Sequence, residues 1–296
     1  MNFLYTLAGL RSPAGEIFFQ TVTLLAEELF AVAVICWFYW CANKQLAYTL
    51  GFSFFTSGLL IQGMKITFRI PRPWILDPQF QPVASAVPAA TGYSFPSGHT
   101  QSITALFGTL WISTGKRIFK IFCTLIIVAV AFSRMYLGCH TPKDVVVSLL
   151  LSFSCALLTY HFFHHRELSR RNSFFLSAVM LFFSLALSFY AVILLKRDII
   201  ELHYAQDCLK SSGAGAAFSL GYYIERTYLH FVIPENSCKK ILRFLIGIAA
   251  AAFLLLGLKT ILGTSLCASF FRYFLTVLWI AVLYPYLFSK IPVPNR

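Results

Sequence analysis

Hydrophobic residues in this chain fall in long unbroken runs, and the charged residues collect between them. A helix of about 20 apolar residues, rising 1.5 Å per residue, crosses the hydrocarbon of a bilayer. Bounding each run by its flanking charges predicts nine spans, near 20–41, 46–64, 100–115, 118–137, 144–163, 174–195, 212–232, 241–258 and 267–288. The expected fold is all-α, a polytopic transmembrane helical bundle. Gly213, Gly215 and Gly221 dilute the seventh run and Glu225 with Arg226 interrupts it, although small residues also let helices pack closely in lipid. Residues 1–19 mix Arg11, Pro13 and Gly15 with apolar positions and read as an interfacial segment. Residues 66–96, rich in proline and aromatics and poor in charge, read as an ordered loop and a candidate lid. Trp74 and Phe80 are the side chains that would close it, with membrane anchoring as the competing role for the tryptophan.

Composition agrees with a membrane protein. Of 296 residues, 58% are hydrophobic and only 12% charged, and mean hydropathy is +0.72, which excludes a soluble domain of this size. A net charge of +13 would suit nucleic acid, but no Lys/Arg block is interleaved with exposed aromatics, so nucleic acid is not an expected partner. The basic residues instead sit at run boundaries and set topology. Loops on one side carry twelve Lys and Arg, among them Lys44, Lys116, Arg166, Lys239 and Arg296, against seven on the other, so the richer side is cytoplasmic. With nine spans, the N-terminus and the loops after the second and fourth spans then face away from the cytoplasm. The N-terminus lacks the basic region and cleavage site of a removable signal peptide. The eight cysteines form no CxxC pair and read mostly as small buried apolar residues.

Candidate chemistry lies in those two loops. Lys65 ends the second run and Arg72-Pro73 follows seven residues on; Pro96-Ser97-Gly98-His99 opens the third; Ser133-Arg134 ends the fourth, with His140 and Asp144 beyond it. Ionisable groups at a membrane boundary cost several kcal/mol when unpaired, so this many cations and imidazoles on one face call for an anionic ligand. Lys65 and the planar fork of Arg72 suit a tetrahedral anion, and Arg134 adds a further bidentate contact. Ser97 and Gly98 stand where a loop becomes a helix, whose exposed N–H groups bind phosphate oxygens. His140 and Asp144 are four apart around Thr141-Pro142, so a first helical turn brings the carboxylate to the imidazole face. Asp144 would hold one ring N–H and leave the other nitrogen free to attack phosphorus, while His99 protonates the leaving oxygen. Three cations around a phosphate stabilise developing charge without a metal, and no Asp/Glu cluster suited to one appears.

These segments resemble the type 2 phosphatidic acid phosphatase superfamily, membrane-bound branch, whose pattern is Lys-x6-Arg-Pro, Pro-Ser-Gly-His and Ser-Arg-x5-His-x3-Asp. Every position is filled here, in order. The resemblance implies a helical core with a metal-independent, cofactor-free site that forms a phosphohistidine. It implies His140 as nucleophile, Asp144 as its orienter, His99 as general acid, and Lys65, Arg72, Ser97, Gly98 and Arg134 as phosphate ligands. The expected organisation is an interfacial segment 1–19, a six-span phosphatase-like catalytic core 20–195 and a three-span extension 196–296.

The expected function is hydrolysis of a phosphate or diphosphate ester on a membrane lipid by an integral membrane enzyme. Its active site would lie on the extracytoplasmic face of a bacterial plasma membrane. A phosphotransferase, a phosphatase for soluble sugar phosphates and a non-enzymatic lipid-phosphate transporter stay open as alternatives on the same residues. Neither the lipid nor the oligomeric state follows from the sequence. His161, His164 and His165 suggest a metal, but their place beside Arg166 with only Glu167 as carboxylate favours interfacial anchoring. Glu27 and Glu28 in the first run need a partner; Arg69 or Arg72, a water-filled cavity and the outer interface are the options. Tyr222, Tyr223 and Glu225 are assigned to packing.

Overall fold

The computed structural model describes residues 1–164 and 168–290, and every regular element among them is helical. His165, Arg166, Glu167 and Arg296 lie outside the described residues. In chain order the helices are α1 (Asn2–Gly9), α2 (Pro13–Thr23), α3 (Glu28–Trp37), α4 (Lys44–Phe68), α5 (Pro73–Leu76), α6 (Gly98–Ser113) and α7 (Arg117–Tyr136). They continue with α8 (Pro142–His164), α9 (Arg170–Lys196), α10 (Leu202–Ile224), α11 (Ser237–Leu262), α12 (Leu266–Leu278) and α13 (Tyr284–Ser289). Starts follow capping chemistry: the side chains of Ser12, Ser97, Ser169, Asn236 and Ser265 each accept from a backbone N–H in the first turn that follows.

Each of the nine hydrophobic runs falls on a helical segment, but nine spans are not confirmed. By length and apolarity five helical stretches qualify, Arg117–Tyr136, Pro142–His164, Arg170–Lys196, Ser237–Leu262 and Leu266–Ser289. A sixth is added if Pro13–Ala26 and Glu28–Ala42, bent by 47° at Glu27, count as one broken span. The first run is thus interrupted where a charge falls, and its helix starts at Pro13, inside the stretch expected at the interface. α6 does not qualify because it is short and rich in Thr, Ser and Gln, and it can be so because Thr100–Leu110 are all buried by protein. The qualifying helices instead present large apolar side chains outward, Ile118 on α7 at 84% exposure and Phe253 on α11 at 80%, as lipid-facing surfaces do.

The chain divides into two compact units, one of Met1–Val32 and Phe52–His164, the other of Ala33–Gly51 and His165–Arg296. In the first, α6 is the central helix, packed by α7 and α8, while α1 and α2 lie on α7. Gln101 of α6 donates through Nε2 to Ser57 Oγ (2.9 Å) and the Phe54 carbonyl (3.1 Å) of α4. The loop 69–97 is tied down by the N-terminal helices: Arg11 donates to the carbonyls of Gln81 (2.6 Å) and Tyr136 (3.0 Å), and Tyr5 to Asp77 (2.9 Å). Phe80 is 1% exposed, edge-on to Tyr5 and beneath Arg11. It is a core residue of the loop, packed within it.

In the second unit α10 packs on α9 and α12. A Cβ at Gly213 would stand 2.3 Å from the Phe270 carbonyl oxygen of α12, so the glycines that dilute this run are what allow the helices to touch. A π-helical turn at Trp279–Leu283 follows α12. Carbonyls at this turn accept from side chains: Tyr39 donates to Ala281 (2.8 Å) and Trp40 to Ile280 (3.1 Å). Glu225, 1% exposed, is paired with Lys44 Nζ at 2.5 Å and accepts from the Tyr48 hydroxyl. Lys44 is therefore the partly exposed half of an ion pair as well as a boundary charge. Six cysteines are buried, and Cys238 and Cys267 are exposed.

Candidate active site

The three motifs and a fourth stretch, the bend between α2 and α3, meet within the first unit. Lys65 lies in the last turn of α4 and is buried. Its Nζ stands 3.2 Å from where a Cβ on Gly92 would lie and 3.6 Å from that of Gly98, so two glycines line the space at the ammonium. Arg72 precedes α5 in extended backbone, with Pro73 as the first helical residue. Its Nε donates to the Gly92 carbonyl at 2.8 Å and Nη1 to the Cys139 carbonyl at 3.0 Å. The same Nη1 is 2.8 Å from His140 Nε2, and the Trp74 ring centre lies 6.0 Å from the guanidinium carbon. Trp74 therefore sits beside a site cation.

Arg134 and His140 are held by one turn. The Arg134 carbonyl accepts the N–H groups of Cys139 (3.0 Å) and His140 (3.2 Å), a reversal that needs Gly138 at φ +79°. Arg134 is 1% exposed. Its Nη1 approaches Thr23 Oγ1 at 3.5 Å, while Nε and Nη2 have no hydrogen-bond partner among the described residues. A buried guanidinium with two unsatisfied nitrogens is costly by itself and is suited to an incoming anion.

Asp144 opens α8 as the far half of a capping pair: Thr141 N–H donates to its Oδ2 at 2.8 Å, and its own N–H reaches Thr141 Oγ1 at 3.4 Å. Ser94 Oγ donates to the same Oδ2 at 2.6 Å, and Ser97 N–H to the Asp144 carbonyl at 3.2 Å. Asp144 Oδ2 is 3.6 Å from His140 Nδ1, an ion-pair distance longer than a hydrogen bond. Arginine only donates, so His140 Nε2 faces it with a lone pair and the ring proton sits on Nδ1, toward Asp144. Burial first, and Arg72 beside it second, hold the His140 pKa well below the ordinary imidazole value of 6.5.

His99 is the second residue of α6, and its Nε2 lies 3.3 Å from Glu27 Oε1. Glu27 thus meets an imidazole, whereas Arg72 is engaged by Gly92, Cys139 and His140, and Arg69 Nη1 bonds the Ile66 carbonyl. Lys65, Arg72, Ser97, Gly98, His99, Arg134, His140 and Asp144 all belong to this one locality. Sequence reasoning missed Ser94 and Thr23, which carry no local signal. Glu27 carried one, as a carboxylate inside an apolar run.

Three cations and two imidazoles thus gather around glycine-lined space at a helix start, an arrangement whose charge suits an anion. In comparison with known proteins, residues 45–168 match the PAP2 superfamily, and residues 209–296 match the PAP2 superfamily phosphatase transmembrane extension. The chain belongs to the PAP2 superfamily. It is also an integral membrane protein, as the second match and the apolar helices show. Among relatives of this PAP2 chain, a probable sphingosine-1-phosphate phosphatase of Dictyostelium discoideum is 28% identical over 160 residues, 49% of this chain and 37% of that protein. Sphingosine-1-phosphate phosphatase 2 of Homo sapiens is 29% identical over 148 residues, 48% of this chain and 36% of its own length. An undecaprenyl-diphosphatase of Sulfolobus acidocaldarius is 31% identical over 109 residues, 37% and 51% of the two chains. The match thus spans well under half the length of the first two relatives. No solved structure matches the chain.

Proposed function

We propose that this PAP2 chain hydrolyses phosphate or diphosphate esters of membrane lipids through a phosphohistidine on His140, without a metal. The 2.8 Å contact between Arg72 Nη1 and His140 Nε2 carries the reading, because it puts a basic nitrogen next to a cation that can hand its hydrogen bond to a phosphate oxygen. Bound phosphate would be gripped by Lys65, Arg72 and Arg134 and by the helix start at Ser97 and Gly98, where the Ser97 N–H is already donated to the Asp144 carbonyl. Nε2 attacks phosphorus while Asp144 steadies the Nδ1–H. As the ester bond breaks, the leaving oxygen takes a proton from His99. Water then attacks the phosphohistidine, gives a proton back to His99, and frees inorganic phosphate and His140. The cations neutralise equatorial charge in both steps, a task otherwise left to a metal.

Lipid is favoured as substrate because the site is built on helices of a membrane protein and the relatives' names refer to lipid phosphates. The tail would remain in the apolar phase while the headgroup rises to the cations. By the distribution of Lys and Arg, the site faces away from the cytoplasm. The organisation proposed remains a core up to residue 195 and a three-span extension beyond it, with nine crossings in all.

The test is phosphate release by purified protein from lipid and soluble phosphate esters, in chelator and then in vanadate. Expected are turnover unaffected by chelator, inhibition by vanadate, and loss of about 10³-fold or more in His140→Ala with vanadate still bound. Turnover lost in chelator and indifferent to vanadate, or unchanged in His140→Ala, would overturn the reading.

A further inference from the structure

Glu27 sits where the first span breaks. Its carbonyl accepts from Phe30 N–H (3.1 Å) and Ala31 N–H (3.2 Å), so its backbone starts α3, while the side chain turns to His99 Nε2 at 3.3 Å. One helical turn earlier, Thr23 Oγ1 is 2.8 Å from Ser133 Oγ and reaches Arg134 Nη1 at 3.5 Å. The bent segment is therefore docked on the site at two points, one beside a phosphate-ligand arginine and one beside an imidazole. A carboxylate within an apolar run is expensive, and this one is placed by a 47° bend against a histidine.

We propose that Glu27 is a positioning residue for His99, holding Nε2–H so that Nδ1 is the nitrogen that delivers the proton to the leaving oxygen. The proposal rests on the reading of His99 as general acid. In the imidazolium both ring nitrogens carry a proton. When the phosphorus–oxygen bond to the leaving group breaks, its electron pair stays on the leaving oxygen, which takes the Nδ1 proton. Neutral His99 keeps Nε2–H on the Glu27 carboxylate, and Nδ1 accepts a proton from the attacking water in the second step. The carboxylate stabilises the charged imidazole through the first step, as an orienting acid does in a triad. His99 is faced by the charges of Glu27, Arg134 and Lys65, and Glu27 by those of His99 and Arg134. Burial first, then Arg134 and Lys65, disfavour the imidazolium of His99, and Glu27 opposes them.

The experiment compares a lipid phosphomonoester, whose alkoxide must be protonated to leave, with p-nitrophenyl phosphate, whose phenolate leaves unaided. His99→Ala should slow the lipid ester far more than the nitrophenyl ester, since general acid catalysis contributes about 10²-fold or more. Glu27→Gln, similar in shape but uncharged, should show the same bias at about tenfold in kcat with KM unchanged. The alkaline limb of its rate profile should move to lower pH, because the imidazolium has lost its counter-charge. Glu27→Asp should recover part of the loss. The proposal is overturned if His99→Ala is biased and Glu27→Gln is silent, or slows both esters equally. It is also overturned if Glu27→Gln raises KM only for lipids with an amine beside the phosphate, which would make Glu27 a reader of a headgroup cation. An unbiased His99→Ala would instead remove the general-acid reading, and this inference with it.

Discussion

Arg72 and His140 illustrate how a residue pair without its ligand can be poised for one. The guanidinium donates to Gly92 and Cys139 carbonyls, which fix its plane, and the same nitrogen that bonds Cys139 lies against His140 Nε2. Burial and that neighbouring charge both disfavour the imidazolium of His140. A nucleophile must be neutral, and a lowered pKa keeps it neutral as acid is added. The acid limb of kcat/KM should therefore fall below pH 6.5, measured on p-nitrophenyl phosphate to spare the general acid; a limb at or above pH 6.5 would contradict the burial argument. Asp144 shows the limit of reading residues singly. Its carboxylate serves the α8 cap and Ser94 at hydrogen-bond distance and reaches His140 only at 3.6 Å, so the pair is an electrostatic one in this state.

At the scale of elements, α6 and α10 show why a helix of a membrane protein need not be strongly apolar along its length. α6 carries Thr100, Gln101, Ser102 and Thr104 because protein and not lipid surrounds it. α10 is rich in Gly, Ala and Ser because α12 lies against its backbone. Gly213→Val should force α10 off Phe270 and cost about 1–3 kcal/mol, read as a lower unfolding temperature in detergent. Gly257→Ala on α11, where a Cβ meets nothing within 4 Å, should leave that temperature unchanged. Equal effects of the two would mean that close approach of α10 and α12 is not what the glycine serves. The bend at Glu27 belongs to the same scale: a charge in a span is resolved here by breaking the helix.

For the whole molecule, topology follows from where the basic residues lie. Cys238 adjoins Lys239 and Lys240, on the side assigned to the cytoplasm, while Cys267 follows Lys259 at the other end of α11. These two thiols are exposed and the other six are buried, so the native chain reports its own orientation. A membrane-impermeant maleimide applied to intact cells should label Cys267 and spare Cys238 until the cells are opened. The reverse pattern would invert the proposed topology and put the active site on the cytoplasmic face.

The sequence by itself determined the class, the family and the list of candidate site residues, because apolar runs and an ordered set of motif spacings are local properties that survive without a fold. It likewise located the start of α6 at Ser97-Gly98 and of α8 at Thr141-Pro142, since capping is written in adjacent residues. Only the tertiary structure decided which groups meet. Glu27 with His99, Thr23 with Arg134, Ser94 with Asp144 and Lys44 with Glu225 are each separated by 50 residues or more, and no periodicity encodes such pairs. Whether a helix faces lipid or protein depends on its neighbours as well, and a helix sheltered by others, as α6 is, is free to be short and polar.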